Sequence, residues 1–191
     1  MKMAFHKRRI GVPSPRGVAI SRRGTVVAMA ETQREPVPRV DSGEFDTALA
    51  FLSFVRHCVL KKAGGLSDEQ LRRPLVGSGT SILGLVQHLA EAERFWFGHL
   101  VGGDAERAEL GMAVPAERAA GDVLADYRAA IEESDRAIRA AGGMDAPMAI
   151  PVEKGVRHSL RWVMAHMTSE TARHAGHADI LRELIDGTTG R

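Results

Sequence analysis

The chain has 191 residues, a length that suits one domain with a single sizeable core. Hydrophobic residues make up 44% of it and aromatic residues only 5%, a balance that favours packed helices over a β-sandwich. No run of about 18 apolar residues occurs, which argues against a membrane-spanning helix, and the single cysteine, Cys58, cannot form an internal disulfide. We therefore expect a cytoplasmic protein.

The net charge of +2 conceals an uneven distribution of charged residues. Residues 1–28 carry seven of the 26 lysines and arginines and none of the 24 acidic residues, so the rest of the chain has a net charge of −5. A basic nucleic-acid surface on the folded part is therefore not expected. We interpret residues 1–40 as a disordered basic extension, with Met29 as an alternative start, and residues 41–191 as the folded domain.

The first predicted helix runs from near Asp41 to the glycine pair at 64–65. Asp41 and Glu44 have the spacing of a capping box, and an apolar stripe follows them along the chain. A short helical turn is predicted over 67–73, because Ser67 is a good helix cap with a glutamine three residues later. Ordered structure is thus expected to start near residue 41.

Three longer helices follow, each bounded by glycine or proline. The second helix is predicted over 80–101, and the third from Pro115, at its first position, to about residue 141. Residues 144–158 contain two prolines and a glycine, so we expect a long irregular crossover before the last helix, over 159–187. Four long helices without strand alternation predict an all-α four-helix bundle.

The last predicted helix carries four polar residues on one face, His166, Glu170, His174 and His177. Imidazole nitrogen and carboxylate oxygen are good ligands for zinc, nickel or iron(II), and residues four positions apart can bind one ion from a single helix. His88 on the second helix is a candidate for a further ligand. Taken alone, however, His88 is more typical of a hydrogen-bonded core histidine, and the Glu170–His174 pair of a solvated helix surface.

Other side chains are interpreted structurally. The small Gly84, one turn before His88, leaves space for another helix or an ion to approach the imidazole. Trp96 and Trp162 are interpreted as core residues, and His158 as a solvated residue of the crossover. The sequence contains no nucleotide-binding glycine motif, no serine-hydrolase motif and no His-Glu-x-x-His zinc motif.

Three segments of the chain resemble one known family. Residues 161–179, RWVMAHMTSETARHAGHAD, closely resemble the last helix of the DinB/YfiT-like superfamily, and more narrowly its actinobacterial branch grouped with mycothiol-dependent enzymes. Residues 83–97, LGLVQHLAEAERFWF, are similar to the second helix of that branch. Residues 65–71, GLSDEQL, resemble the turn between its first two helices. The resemblance covers about residues 42–187.

The resemblance implies a four-helix bundle with a metal between the second and last helices, bound by three protein ligands and water. His88, Glu170 and His174 match those ligands by position. Many members of the superfamily have a histidine where this chain has Glu170, and a carboxylate there resembles the mycothiol-dependent maleylpyruvate isomerase. Zinc is the expected ion, with nickel and iron(II) as alternatives.

The function implied is a metal-dependent S-transferase or isomerase, in which mycothiol or a similar thiol attacks a small electrophile as a metal-bound thiolate. His166, Arg173 and His177 are candidates for supporting the ligands or binding the substrate. Two alternatives stay open: a non-catalytic, stress-related metal-binding bundle, and a hydrolase that uses a metal-bound water. The expected partners are a small thiol and an electrophile, with no membrane, and a homodimer is compatible with a bundle of this size.

Overall fold

The computed structural model describes residues 35–105 and 108–190, and within these ranges the chain is helical without a strand. Four long helices form a bundle, so the predicted all-α fold is confirmed. None of the described helices combines the length and the apolar character that a bilayer crossing requires. The five α-helices in chain order are α1 Glu44–Ala63, α2 Asp68–Arg72, α3 Ile82–Glu93, α4 Ala120–Ala140 and α5 Leu160–Asp186.

The prediction of a basic extension over residues 1–40 concerns the N-terminal end of the chain. Its residues 1–34, and with them the alternative start Met29, lie outside the described residues. From Glu35 onward the chain is irregular up to α1, and the Glu35 carboxylate lies 3.4 Å from the Lys61 ammonium of α1. The extension therefore stays a prediction.

The N-terminal end of α1 differs from the sequence pattern. The predicted capping box of Asp41 and Glu44 is wrong, because Gly43 precedes the helix with φ 133° and no side chain caps the first turn. Asp41 lies two residues before the capping position, too early to serve as the cap. The C-terminal prediction is confirmed, since α1 ends at Ala63, directly before the glycine pair.

The short helix α2 has the predicted cap and also determines where α4 begins. Ser67 Oγ accepts from the Gln70 amide at 3.2 Å, and Gln70 Oε1 accepts from the Ser67 amide at 2.9 Å, which completes a capping box. Asp68 Oδ1 accepts from the Ala120 amide of α4 at 2.9 Å. This cap from another helix stabilises the start of α4 at Ala120. The predicted start at Pro115 is wrong, and that residue lies before the helix.

The second long helix changes character at its midpoint. It is α-helical over Ile82–Glu93 and continues as a π-helix over Arg94–Gly102, ending at Gly103 in the left-handed region with φ 83°. The predicted helix over 80–101 is therefore found, but its π-helical half was not predicted. Stretches of π-helix are rare and are frequently found at functional sites. Trp96, on this segment, contacts α5, where its ring lies 5.7 Å from that of Trp162.

The last helix has the bounds that its sequence predicts. Ser159 Oγ accepts from the Trp162 amide at 3.4 Å, and Gly187 ends the helix in the left-handed region with φ 75°. The crossover before it is irregular, as predicted, and is fixed by backbone hydrogen bonds such as that from the Met148 amide to the His158 carbonyl, at 2.9 Å. The crossover is therefore an ordered part of the bundle.

The helices of the bundle pack in two main pairs, α1 with α5 and α3 with α4. α3 and α5 pack less extensively against each other, and we call the line along which they meet the α3–α5 seam. His88 and Glu170, which lie on this seam, are only partly buried. The apolar core forms two clusters, whose fully buried members include Val59, Leu85 and Val123 in one and Leu52, Phe97 and Leu160 in the other.

Gly84 allows the close approach of a loop, and the prediction that it makes space for a helix or an ion beside His88 is wrong. A Cβ atom at Gly84 would lie only 2.7 Å from the backbone oxygen of Met112. The loop between the π-helix and α4 thus takes the space that the missing side chain leaves.

We expect Gly84→Ala to destabilise the fold by about 1–3 kcal/mol, because the added methyl group collides with backbone that has little room to move. Gly176→Ala on α5 is the matched control, since a Cβ atom there meets nothing within 4 Å. Because alanine has a higher helix propensity than glycine, Gly176→Ala should stabilise the protein by about 0.5–1 kcal/mol. Urea unfolding measures both effects, and equal unfolding midpoints for the two variants would contradict the packing argument.

Candidate metal centre

The three predicted ligand residues meet across the α3–α5 seam. His88 lies on α3, and Glu170 and His174 lie one turn apart on α5. Their donor atoms, two imidazole nitrogens and one carboxylate oxygen, all lie within 4.8 Å of one another. Among the residues that the structure describes, 35–105 and 108–190, these three form the group of histidine, cysteine, aspartate or glutamate side chains whose donor atoms are close enough together to bind one ion. The structure thus brings the three together, and metal binding by them stays a prediction.

The separations within this cluster suit a small cation. His88 Nε2 lies 3.5 Å from Glu170 Oε1, and His174 Nε2 lies 2.9 Å from the same oxygen. The two imidazole rings are 5.0 Å apart and nearly perpendicular, at 72°. A tetrahedral zinc site with bonds of about 2.1 Å has ligand atoms roughly 3.4 Å apart. Only small side-chain shifts therefore separate the observed arrangement from a coordinating one.

The cluster is shielded from solvent, with 14% of the His88, 16% of the Glu170 and 7% of the His174 side chain exposed. Burial opposes ionisation of Glu170, but the His174 hydrogen bond and the charges of His174 and Arg173 hold the pKa of Glu170 below its usual value. Burial lowers the pKa of His174, against the opposite influence of Glu170. An ionised carboxylate and a neutral imidazole are the forms that bind metal.

Two further candidate residues adjoin the cluster on α5. Arg173 Nη2 donates to Glu170 Oε2, the carboxylate oxygen that does not face the histidines. His177 Nδ1 lies 3.4 Å from His174 Nδ1, the ring nitrogen of His174 that is not directed at Glu170. Contacts of this kind hold a ligand side chain in one orientation.

The second ring nitrogen of His88 lacks such support. Nδ1 is buried and makes no hydrogen bond to any residue that the structure describes. Metal-bound histidines usually donate this N–H to an acceptor, and among the described residues His88 has none. The donor set itself fits a metal, because two histidines and a carboxylate are the ligands of catalytic zinc sites that keep a fourth position open.

His166 belongs to an aromatic group that continues the same face of α5. Its ring stacks on Trp162 at 5.1 Å and 9°, and lies 4.4 Å from Trp96. Trp162 stacks in turn on His158, at 3.9 Å and 10°. We call these four residues the aromatic ladder.

The aromatic ladder corrects two interpretations of the sequence. Trp162 is 40% exposed, so the prediction that it is a core residue is wrong, whereas Trp96 is half-buried and packs against the second core cluster. His158 is half-buried against Trp162 rather than solvated. The reason is that the π-helix and the crossover both bring rings against the first turns of α5, at the surface.

Sequence reasoning missed the aromatic ladder, although the spacing contains a signal. Trp96 follows His88 by eight residues, and Trp162 precedes Glu170 by eight residues. Eight residues are slightly more than two α-helical turns, which keeps Trp162 on roughly the same side of α5 as Glu170. The direction of Trp96 is changed by the π-helix and does not follow from this period.

A cavity of about 220 Å³ adjoins His177 on the other side of the cluster. A larger cavity of about 630 Å³ lies between the π-helix and α4. Neither cavity is lined by His88, Glu170 or His174, but the smaller one includes His177, which contacts His174. The lining of the smaller cavity consists of Val76, Ser78, Thr80, His177, Ile180 and Leu181.

Comparison with known proteins relates this site to a family. A family model described as mycothiol-S-transferase matches residues 47–187, from within α1 to the end of α5, and includes all three candidate ligands. No curated protein shows significant similarity to the chain. The match confirms the resemblance to the mycothiol-dependent branch of the DinB/YfiT-like superfamily. The chain therefore belongs to the mycothiol-S-transferase family.

Proposed function

We propose that the protein is a metal-dependent S-transferase that joins the sulfur of mycothiol, or a similar low-molecular-weight thiol, to a small electrophile. The observation that carries the proposal is the convergence of His88, Glu170 and His174 in a chain of the mycothiol-S-transferase family. In the reaction a carbon–sulfur bond forms, the leaving group departs with the electron pair of its bond, and the thiol proton is released. Zinc is the expected ion, with nickel and iron(II) as alternatives.

A divalent cation bound by these residues would hold a coordinating thiol in its reactive thiolate form. The residues of the cluster suit that chemistry, because they bring one negative charge, from Glu170, and two neutral imidazoles. The two positive charges of a bound ion would therefore be only partly neutralised by the protein, so the site would still attract an anionic sulfur. Arg173, whose side chain is 62% exposed, adds a positive charge at the rim that can bind an anionic group of the substrate.

The thiol nucleophile has to come from outside the protein. Cys58 is buried in the hydrophobic core on α1, and it does not belong to the donor cluster. The cavity beside His177 offers space for part of a thiol cofactor, with the hydroxyl groups of Ser78 and Thr80 in its wall. These hydroxyls are suitable partners for the polar groups of such a cofactor.

The proposal predicts that zinc-loaded protein accelerates the consumption of mycothiol by an alkylating electrophile, and that a chelator abolishes the acceleration until zinc is restored. Thiol titration over time and mass spectrometry of the conjugate measure the reaction, with the uncatalysed rate subtracted.

The same assay separates the alternative functions. Ester or amide hydrolysis without added thiol would favour a hydrolase that uses a metal-bound water. Stoichiometric zinc without turnover of any thiol or ester would favour a non-catalytic, stress-related metal-binding bundle. Among the described residues three donors converge rather than four, which favours catalytic use, because structural zinc sites almost always have four protein ligands.

A further inference from the structure

The aromatic ladder is assembled from three separate parts of the chain. Trp96 comes from the π-helix, His158 from the crossover, and Trp162 and His166 from the first two turns of α5. The rings of His158, Trp162 and His166 are nearly parallel, with angles of 10° and 9° between neighbouring planes. Trp96 lies against two of them, 4.4 Å from His166 and 5.7 Å from Trp162.

Burial in the core does not account for this arrangement. Trp162 is 40% exposed, although an indole ring is among the side chains that gain most from burial. Trp96, His158 and His166 are each half-buried. Aromatic side chains that stay accessible as a group are typical of binding surfaces.

The π-helix contributes to the ladder by setting the direction of Trp96. A π-helical turn contains more residues than an α-helical turn, so residues beyond Glu93 face differently from those of a regular helix. Glu93, the last α-helical residue before the change, is held by the buried Arg56, whose Nε donates to its Oε1 at 2.7 Å. The π-helix, which the Arg56–Glu93 contact fixes at its start, thus places the Trp96 ring in the aromatic ladder.

The ladder also leads directly to the candidate metal centre. His166 precedes Glu170 by one helical turn, about 6 Å along the axis, and Trp162 precedes it by about 12 Å. A substrate of one or two rings spans this distance. The cavity beside His177, whose wall combines Ser78 and Thr80 with three aliphatic residues, lies further along α5, beyond His174.

We propose that the aromatic ladder is the subsite for the electrophile, and that it favours electrophiles with a planar aromatic group. The proposal rests on the S-transferase function proposed above. The rings of His158 and His166 stack on Trp162, so a planar ring binds the exposed edge of the indole in an edge-to-face contact, on the face of α5 that continues towards Glu170 and the histidines. Small aliphatic electrophiles reach the same donors without using the ladder.

The first test measures binding without chemistry. Dinitroaniline, an unreactive planar ring, is titrated calorimetrically into wild type, Trp162→Ala, Trp162→Phe and Leu184→Ala. The last variant is the matched control, since it removes an exposed apolar side chain from the same helix. We expect Trp162→Ala to raise the Kd about tenfold, Trp162→Phe to raise it less than about threefold, and Leu184→Ala to leave it unchanged.

The second test compares two electrophiles with zinc-loaded protein and mycothiol. With chlorodinitrobenzene the sulfur bonds to the ring carbon and chloride leaves with its electron pair, whereas with iodoacetamide the sulfur bonds to an aliphatic carbon and iodide leaves with its electron pair. Trp162→Ala should lower kcat/KM for the aromatic substrate about tenfold and change that for iodoacetamide less than about twofold.

Two results would overturn the aromatic subsite: equal losses with both electrophiles, or wild-type affinity of Trp162→Ala for dinitroaniline. The two proposals also fail separately. If wild type consumes thiol with neither electrophile, the S-transferase function is wrong, whereas the calorimetric comparison still decides whether the ladder binds planar rings.

Discussion

Glu170→Ala is expected to remove most of the bound metal and to lower thiol turnover by more than about a hundredfold. Glu170 is the one acidic member of the cluster, and its Oε1 lies within 3.5 Å of both histidine Nε2 atoms. Loss of a residue that merely supports a ligand already costs about 10–100-fold in metal affinity or activity, so loss of the ligand itself should cost more. Elemental analysis of untagged protein gives the metal content, and the thiol assay gives the turnover.

Two further variants make this result specific to the metal centre. Glu183→Ala removes an exposed carboxylate from the same helix and should retain both metal and turnover. Glu170→His replaces the carboxylate by another good zinc ligand and should retain metal. If wild type binds about one ion per chain and Glu170→Ala binds as much, the assignment of Glu170 is wrong. Absence of metal from wild type after incubation with zinc would remove the basis of the enzymatic proposal.

Glu93→Ala is expected to destabilise the protein by about 3 kcal/mol, because it leaves the Arg56 guanidinium buried without its main partner. Glu93 is fully buried, and its carboxylate accepts from Arg56 Nε at 2.7 Å and Nη2 at 2.6 Å. Burial by itself lowers the pKa of Arg56, but the charges and hydrogen bonds of Glu93 and Asp135 outweigh it and keep the guanidinium charged. Urea unfolding measures the loss.

The matched control for this variant is Glu133→Ala, which removes the exposed partner of Arg94, 2.9 Å away, and should cost less than about 1 kcal/mol. A double variant, Arg56→Leu with Glu93→Leu, removes both buried charges and should recover much of the stability. If Glu93→Ala lowered the free energy of unfolding no more than Glu133→Ala does, the buried Arg56–Glu93 pair would not have the stabilising role proposed here. Arg56 also contacts Asp135 at 2.8 Å, so these residues join α1, α3 and α4.

Several local features were predictable from the sequence because they depend on residues close together in the chain. The caps at Ser67 and Ser159 and the helix end at Gly187 follow from short-range hydrogen bonding and backbone freedom. The common face of Glu170 and His174 follows from helical periodicity. The α4 start was mispredicted at Pro115 because its actual cap, Asp68, comes from another helix.

The sequence pattern made His88 a candidate partner of Glu170 and His174, but only the family resemblance singled out these three residues as one ligand set. Periodicity places each residue on a face of its own helix, but it does not determine which faces meet or at what height. For the same reason, the sequence did not predict the buried Arg56–Glu93 pair, whose members are 37 residues apart. Nor did it predict the aromatic ladder, which depends on the π-helix and the crossover meeting the same end of α5.

The sequence by itself therefore determined an all-α bundle, most of its helix ends and the chemical types of the candidate ligands, since these depend on local hydrogen bonding and helical period. Only the tertiary structure decided that three donor atoms lie within 4.8 Å of one another, and that Trp162 stays exposed two turns before Glu170 on α5. The physical reason is that the relative height and rotation of two helices are set by the packing of many distant side chains at once.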